Sequence, residues 1–196
     1  MELAGWLTEN RRRATIALVL FVLAGVPLYA AFKAKSWATG PRLLAVGSSA
    51  PTLQGPTMAG DRIDTSLYGG RVLVYVFVDP LLESAGRLGQ AVQVWNQRWA
   101  DNRAVVFPVL MGDDAERQRQ WVARFGLNPN RIVIDRQGTR AELFRVFQAP
   151  TIYVVDGQGR VRYAAAKILG SEDPELNTIV TKYLPAPTRR FKRTPP

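Results

Sequence analysis

The stretch that decides the fold of this chain is RIVIDRQGTRAELFRVFQAPTIYVVDGQGRVRY, residues 131–163. It contains two short β-branched runs, 132–134 and 151–155, and each ends in an aspartate followed by a turn that contains glycine. The second turn leads directly into a further run at 160–163, which predicts a β-hairpin. The stretch therefore predicts a strand, a short helix and then two antiparallel strands.

The residues before this stretch predict alternating strands and helices. The unbroken run VLVYVFV at 72–78 is typical of a strand buried on both faces, as in the centre of a parallel sheet, and AVVFPVL at 104–110 predicts a second such strand. Apolar residues spaced by three or four from Leu82 to Trp99 predict an amphipathic helix. Residues 113–125 predict another helix, and Asp173 followed by Pro174 predicts the start of a final one.

The amino-terminal part predicts a membrane anchor. Residues 14–32 carry no charge and would form about 28 Å of helix at about 1.5 Å per residue, which matches a bilayer core. A cleaved signal peptide is the alternative, since a basic start and an apolar run are also its signature. The arginines at 11–13 favour a cytoplasmic segment 1–13 and an extracytoplasmic (periplasmic) domain, joined to the helix by a linker at 33–49.

The positive charge lies at the ends of the chain. The formal net charge is +10, but residues 43–184 hold sixteen Arg and Lys against fourteen Asp and Glu, a net charge of only +2. Basic clusters beside an apolar span and on a tail favour lipid head groups or acidic partner subunits over nucleic acid. The expected partners are other subunits of a membrane complex and the lipid bilayer.

Residues 47–184 resemble the thioredoxin-like superfamily, in particular its membrane-tethered thiol-disulfide proteins and the redoxins. The resemblance rests on GSSAPTLQG near the start, on GGRVLVYVFVDP, and on the 131–163 stretch, in which Pro150 matches the cis-proline before the family's hairpin. It implies an α/β fold, with a central mixed sheet flanked by helices, over residues 50–184. The single transmembrane helix would precede this domain, and a basic, proline-rich tail would follow at 185–196.

The departure from that family lies after the first core strand. Where the family carries a Cys-x-x-Cys or a peroxidatic cysteine, this chain reads DPLLESA at 79–85, and the whole sequence contains no cysteine and no histidine. Disulfide exchange, peroxide reduction and metal binding through these side chains are excluded. The resemblance still implies a docking groove beside the proline, with the following residues: Asp79, Pro80, Leu82, Ala149, Pro150 and Thr151.

Other side chains allow two interpretations. Asp79 and Glu83 could serve as general acid and base, but the favoured interpretation is that Asp79 starts the helix and Glu83 stabilises its first turn. The tail is either solvated or an electrostatic anchor to a partner, and the anchor would consist of Arg189, Arg190, Phe191, Lys192 and Arg193.

The expected function is that of a non-catalytic, single-pass accessory or assembly subunit of a larger membrane complex. A respiratory or photosynthetic electron-transfer complex in a cytoplasmic (inner) membrane is expected by analogy with tethered members of the superfamily. No catalytic residue, cofactor or metal site is predicted. The alternative is a tethered enzyme or chaperone that uses non-thiol chemistry at the cis-proline groove.

Overall fold

A computed structural model describes residues 42–101 and 103–186. Strands and helices alternate along most of the domain. In chain order they are β1 (Gln54–Pro56), β2 (Arg62–Asp64), β3 (Val72–Val78), α1 (Ala85–Arg98), β4 (Ala104–Met111), α2 (Ala115–Arg124), β5 (Val133–Asp135), α3 (Thr139–Leu143), β6 (Thr151–Val155), β7 (Val161–Ala165) and α4 (Pro174–Tyr183).

Five strands form one mixed sheet in the order β5-β4-β3-β6-β7. The pairs β3–β4 and β4–β5 are parallel, whereas β3–β6 and β6–β7 are antiparallel. The prediction of a central mixed sheet is confirmed, and so is the hairpin, although β7 continues two residues beyond the predicted end. A separate pair, β1–β2, lies against the β5 edge through a bridge between Thr57 and Val133.

Strand β3 contributes to two cores, one on each face of the sheet. Val72, Val74, Val76 and Val78 pack into a cluster with α1, α2 and α4, while the alternate residues of the strand pack into the cluster on the other face with α3. All seven residues of β3 are buried. This double burial explains why the strand reads as an unbroken apolar run rather than an alternating one.

Helix α1 begins later than the sequence predicts. Ser84 is its N-cap residue and Ala85 its first residue, so the interpretation that Asp79 starts the helix is wrong. Asp79 instead closes a turn, because its Oδ1 accepts a hydrogen bond from the backbone N–H of Leu81 at 2.9 Å. Glu83 precedes the helix, whose first turn contains no acidic residue. Leu82 also lies outside the helix and is exposed rather than part of the buried stripe.

Helices α1 and α2 are in unusually close contact. A Cβ atom on Gly89 of α1 would lie only 2.1 Å from Cδ2 of Phe125, the residue that ends α2. One turn away, Trp121 Nε1 donates a hydrogen bond to the backbone oxygen of Ala85 at 2.9 Å. The absence of a side chain at Gly89 therefore sets how closely α2 approaches.

The predicted helix start at Asp173 is confirmed, and Asp114 caps α2 in the same way. Asp114 accepts a hydrogen bond from Arg117 N–H, and Asp173 accepts one from Leu176 N–H, each at 2.9 Å. Each bond satisfies one of the amide groups that a helix leaves unpaired at its amino terminus.

Part of the predicted linker contacts the domain. Leu43 and Leu44 pack against the core that contains Tyr75, and Gly47 N–H donates to the backbone oxygen of Val161 at 2.7 Å. Within residues 42–101 and 103–186, no helix is long and apolar enough to cross a membrane. The predicted transmembrane helix at 14–32 lies outside those residues.

The two Asp-containing turns of the 131–163 stretch are closed by buried carboxylates. Asp135 accepts hydrogen bonds from the backbone N–H groups of Arg140 and Ala141 and so fixes the start of α3. Asp156 accepts them from the N–H groups of Gln158 and Arg160, and its Oδ2 accepts one from Arg162 Nε at 2.5 Å. The two turns, which are similar in sequence, are thus closed in the same way, by an aspartate that accepts hydrogen bonds from backbone N–H groups.

We expect Gly89→Ala to lower the free energy of unfolding. Overpacking against Phe125 costs about 1–3 kcal/mol, which exceeds the gain of up to about 1 kcal/mol from replacing a helical glycine. Urea unfolding of the full-length chain in detergent, followed by tryptophan fluorescence, measures the change. Gly86→Ala is the matched control, because a Cβ there meets no atom within 4 Å and should stabilise the helix. Equal effects of the two variants would contradict the close-contact interpretation.

We expect Asp156→Asn to destabilise the domain by about 2 kcal/mol near neutral pH, since it removes a charged acceptor from three hydrogen bonds. Burial raises the pKa of Asp156, but the hydrogen bonds from Arg160, Arg162 and Gln158 outweigh it and hold the pKa below its ordinary value of 3.8. The stabilisation is therefore complete well above pH 3.8 and is lost as the pH falls through the lowered pKa.

Unfolding measured across the acid range tests this expectation. The Asp156→Asn variant should lose less stability than the original chain between neutral and strongly acidic pH. Asp113→Asn, at an exposed position, should stay within about 0.5 kcal/mol of the original at neutral pH. A pH dependence unchanged by Asp156→Asn would show that the charge of this carboxylate does not stabilise the hairpin.

Candidate functional site

The sheet register brings three loop segments to one edge of the domain. Phe77, near the end of β3, pairs with Thr151, the first residue of β6, so the loop after β3 lies beside the loop before β6. Ile152 pairs with Ala165, the last residue of β7, which brings the loop after β7 to the same edge. Gln148 Nε2 donates to the backbone oxygen of Ala166 at 3.2 Å and links the second and third segments. We call these three loops, residues 79–84, 147–150 and 166–168, the docking edge.

The first segment of the docking edge is a compact turn. Besides the Asp79 hydrogen bond to Leu81 N–H, Leu82 N–H donates to the backbone oxygen of Asp79 at 3.1 Å. Ala85 N–H donates in turn to the backbone oxygen of Leu82. Because the Asp79 carboxylate is engaged in holding this turn, its geometry is that of a structural residue.

The second segment contains the proline that the resemblance singled out. The Ala149–Pro150 peptide bond is cis, as the resemblance implied. Thr151 Oγ1 donates to the backbone oxygen of Gln148 at 2.7 Å and closes the turn. Pro150 and Thr151 are buried and Ala149 is half-buried. These three residues of the predicted groove therefore lie mostly beneath the surface of the docking edge.

Exposed apolar side chains are concentrated at the docking edge. In the described residues seven large apolar side chains are exposed, and four of them belong to these loops: Leu81 (59 %), Leu82 (42 %), Phe147 (47 %) and Ile168 (45 %). Of these four, the sequence predicted only Leu82 as a groove residue. Leu81, Phe147 and Ile168 were missed because each lies in a loop, where no periodicity distinguishes an exposed residue from a buried one.

Two acidic side chains, Asp79 and Glu83, belong to the docking edge. No group of three or more Asp and Glu side chains in the described ranges is arranged to hold a metal ion. Asp114 and Glu116 contact the α2 helix, since Asp114 caps it and Glu116 pairs with Arg119 at 2.6 Å. The sequence has no thiol and no imidazole, and the exposed side chains of the edge include the four large apolar residues named above.

Comparison with known proteins agrees with the fold. The model of the AhpC/TSA family matches residues 46–164. No curated protein matches the sequence. Among solved structures, a Chlorobium tepidum protein provisionally assigned as a thiol:disulfide interchange protein DsbE is 17 % identical, with a TM-score of 0.65 over 72 % of this chain and 99 % of that one.

Two other solved structures are similar to this chain in fold. The thioredoxin domain of a thiol-disulfide oxidoreductase from Bacteroides vulgatus is 19 % identical, with a TM-score of 0.59 over 72 % of this chain and 99 % of that one. A secreted Mycobacterium tuberculosis disulfide oxidoreductase homologous to E. coli DsbE is 16 % identical, with a TM-score of 0.57 over 66 % and 95 % of the two chains. The predicted thioredoxin-like fold is thereby confirmed, whereas the predicted tail anchor at 189–193 lies outside the described residues.

We expect the double substitution Leu81→Ser and Phe147→Ser to reduce the binding of an apolar fluorescent dye without unfolding the domain. Both side chains are exposed, so the free energy of unfolding should change by no more than about 0.5 kcal/mol. Leu67→Ser is the matched control, because Leu67 is 81 % exposed but precedes β3, at the opposite end of that strand. Equal dye binding by the double variant and the control would contradict a continuous apolar surface at the docking edge.

Proposed function

The chain belongs to the AhpC/TSA family, and from that premise we propose that it is a non-catalytic member whose domain docks onto other subunits of a membrane complex. In this function the thioredoxin-like fold serves as a scaffold. The docking edge takes the place of the reactive thiols as the functional part of the surface. The chain acts as an accessory or assembly subunit, and an electron-transfer complex is the proposed setting.

The first support is the mismatch between family and composition. The structural neighbours are named for thiol-disulfide exchange, which requires a thiolate as the attacking group. The sequence has no cysteine, and no histidine that could activate another nucleophile such as Ser84. A family member that lacks the reactive sulfur atom can still bind other proteins through the shape and chemistry of its surface.

The single observation that carries the proposal is the apolar docking edge. Four exposed large apolar side chains lie in loops that meet at one edge of the sheet, on a domain whose other apolar residues are mostly in the two cores. Such a concentration is typical of a protein interaction surface, because exposing it to water is unfavourable unless a partner covers it.

The ends of the chain support the membrane part of the proposal. The uncharged run at 14–32 has the length and composition of a bilayer span, and the basic residues at 11–13 favour an amino terminus in the cytoplasm. The domain is then extracytoplasmic. The basic tail, in which Phe191 lies among four basic residues, would bind electrostatically to an acidic partner or to anionic lipid.

Purification of the tagged protein from its native membrane in mild detergent tests the proposal. We expect it to elute with other membrane proteins in fixed stoichiometry, identified by mass spectrometry. The variant carrying Leu81→Ser and Phe147→Ser should lose that association by at least about tenfold, as expected when central apolar contacts are removed. The Leu67→Ser control should retain it.

The proposal fails if the protein elutes alone. It fails equally if the isolated protein turns over a thiol-free substrate and Asp79→Asn abolishes that activity, since this would make the chain an enzyme at the groove.

A further inference from the structure

A cleft of about 360 Å³ lies next to the docking edge, between the Pro80–Glu83 loop and helices α1 and α2. Ala85 and Trp121 are among the residues that line it, and Trp121 Nε1 donates a hydrogen bond to the backbone oxygen of Ala85. One wall is the loop with its exposed leucines. The other is a row of α2 residues consisting of Arg117, Gln120 and Arg124. We call it the α1–α2 cleft.

The charge of the α1–α2 cleft is positive. Arg117 and Arg124 line it, and neither forms an ion pair with any residue in the described part of the chain. Arg124 lies over the ring of Phe125, 5.3 Å from its centre, which leaves its hydrogen-bond donors available. Glu83 is the one acidic residue among those that line the cleft.

The start of α1 adds to this positive character. Gly86, in its first turn, lines the cleft, and that turn has neither an acidic residue nor a side-chain cap from Ser84. The partial positive charge of the helix amino terminus is therefore not offset by any side chain of its N-cap or first turn, and Glu83, just before the N-cap, is the acidic residue beside it. The α2 helix differs, since Asp114 caps it and Glu116 lies in its first turn.

We infer that the α1–α2 cleft binds a segment of a partner protein in which carboxylates alternate with apolar side chains. This inference rests on the proposed function and specifies the chemistry of the partner. The apolar side chains of the segment cover Leu81 and Leu82, and its carboxylates pair with Arg117 and Arg124. The cleft and the docking edge share the 79–84 loop, so that one partner covers both.

Charge complementarity selects this occupant over the chain's own tail. The tail carries four basic residues at 189–193, and these would be repelled by the two arginines of the cleft. The spacing of the arginines further restricts the segment. Seven residues of helix separate their Cα atoms by about 10 Å. This lies between the separations of about 7 Å and about 13 Å for side chains two and four residues apart on one face of an extended segment, so the carboxylates are expected at one of these spacings.

Site-specific photocrosslinking tests the inference in the full-length chain in its native membrane. A photoreactive phenylalanine analogue at Gln120, between the two arginines, should crosslink to a partner, and mass spectrometry of the crosslinked peptide identifies the contact. We expect that peptide to contain at least two Asp or Glu residues among apolar ones. The same analogue at Arg119, which pairs with Glu116 on α2 and does not line the cleft, is the matched control and should give little of this crosslink.

Charge reversal supplies the second measurement. The double variant Arg117→Glu and Arg124→Glu should reduce retention of the partner at least tenfold, whereas Arg119→Glu should change it less than twofold. Replacing the crosslinked carboxylates of the partner by lysine should restore retention of the double variant. An unchanged thermal midpoint of the isolated double variant confirms that these exposed positions do not affect folding.

Each outcome separates the inference from the proposed function. Crosslinks to lipid, to a second copy of the chain, to its own tail or to a segment without carboxylates overturn the inference. So does an intact complex that gives no crosslink from position 120 or that is insensitive to charge reversal. Those results leave the proposed function standing, because that proposal fails only if no complex is found or if the isolated protein proves to be an enzyme at the groove.

Discussion

The complete burial of β3 is the constraint on which the rest of the domain depends. Because the strand is covered on both faces and paired on both sides, its neighbours have little freedom of position. Its even-numbered and odd-numbered residues supply different cores, so a shift of one residue would exchange two sets of side chains of different volume. The end of β3 consequently fixes where the 79–84 loop emerges, beside the start of β6.

The sequence predicted the order of the large elements because their patterns are strong. The unbroken run of β3, the stripe of α1 and the repeated Asp-containing turns each have one dominant physical explanation. The start of α1 was mispredicted because Asp79-Pro80 has the composition of a helix start, yet the aspartate closes an Asx-type turn instead. The same residue types serve both geometries, and only the tertiary position of the loop decides between them.

The candidate site was predictable in its location but not in its composition. The family resemblance placed the groove at Pro150 and the 79–85 segment, and these lie at the docking edge. The exposure of Phe147 and Ile168 depends on which side of a loop faces solvent, and that is set by packing over the whole domain. Arg117 and Arg124 lie seven residues apart on one helix, a spacing visible in the sequence. The cleft they line depends on the long-range contact between α1 and α2.

The contact between Gly89 and Phe125 has a consequence for recognition. The ring of Phe125 packs against α1 where Gly89 has no side chain, and the Trp121 indole donates a hydrogen bond to the Ala85 oxygen. Together these two contacts fix the distance and the rotation of α2 relative to α1. The backbone that carries the two arginines is thus preorganised relative to the leucine-bearing loop before any partner arrives. In the proposed complex, association then costs less conformational entropy, which favours selective binding of a short segment in the α1–α2 cleft.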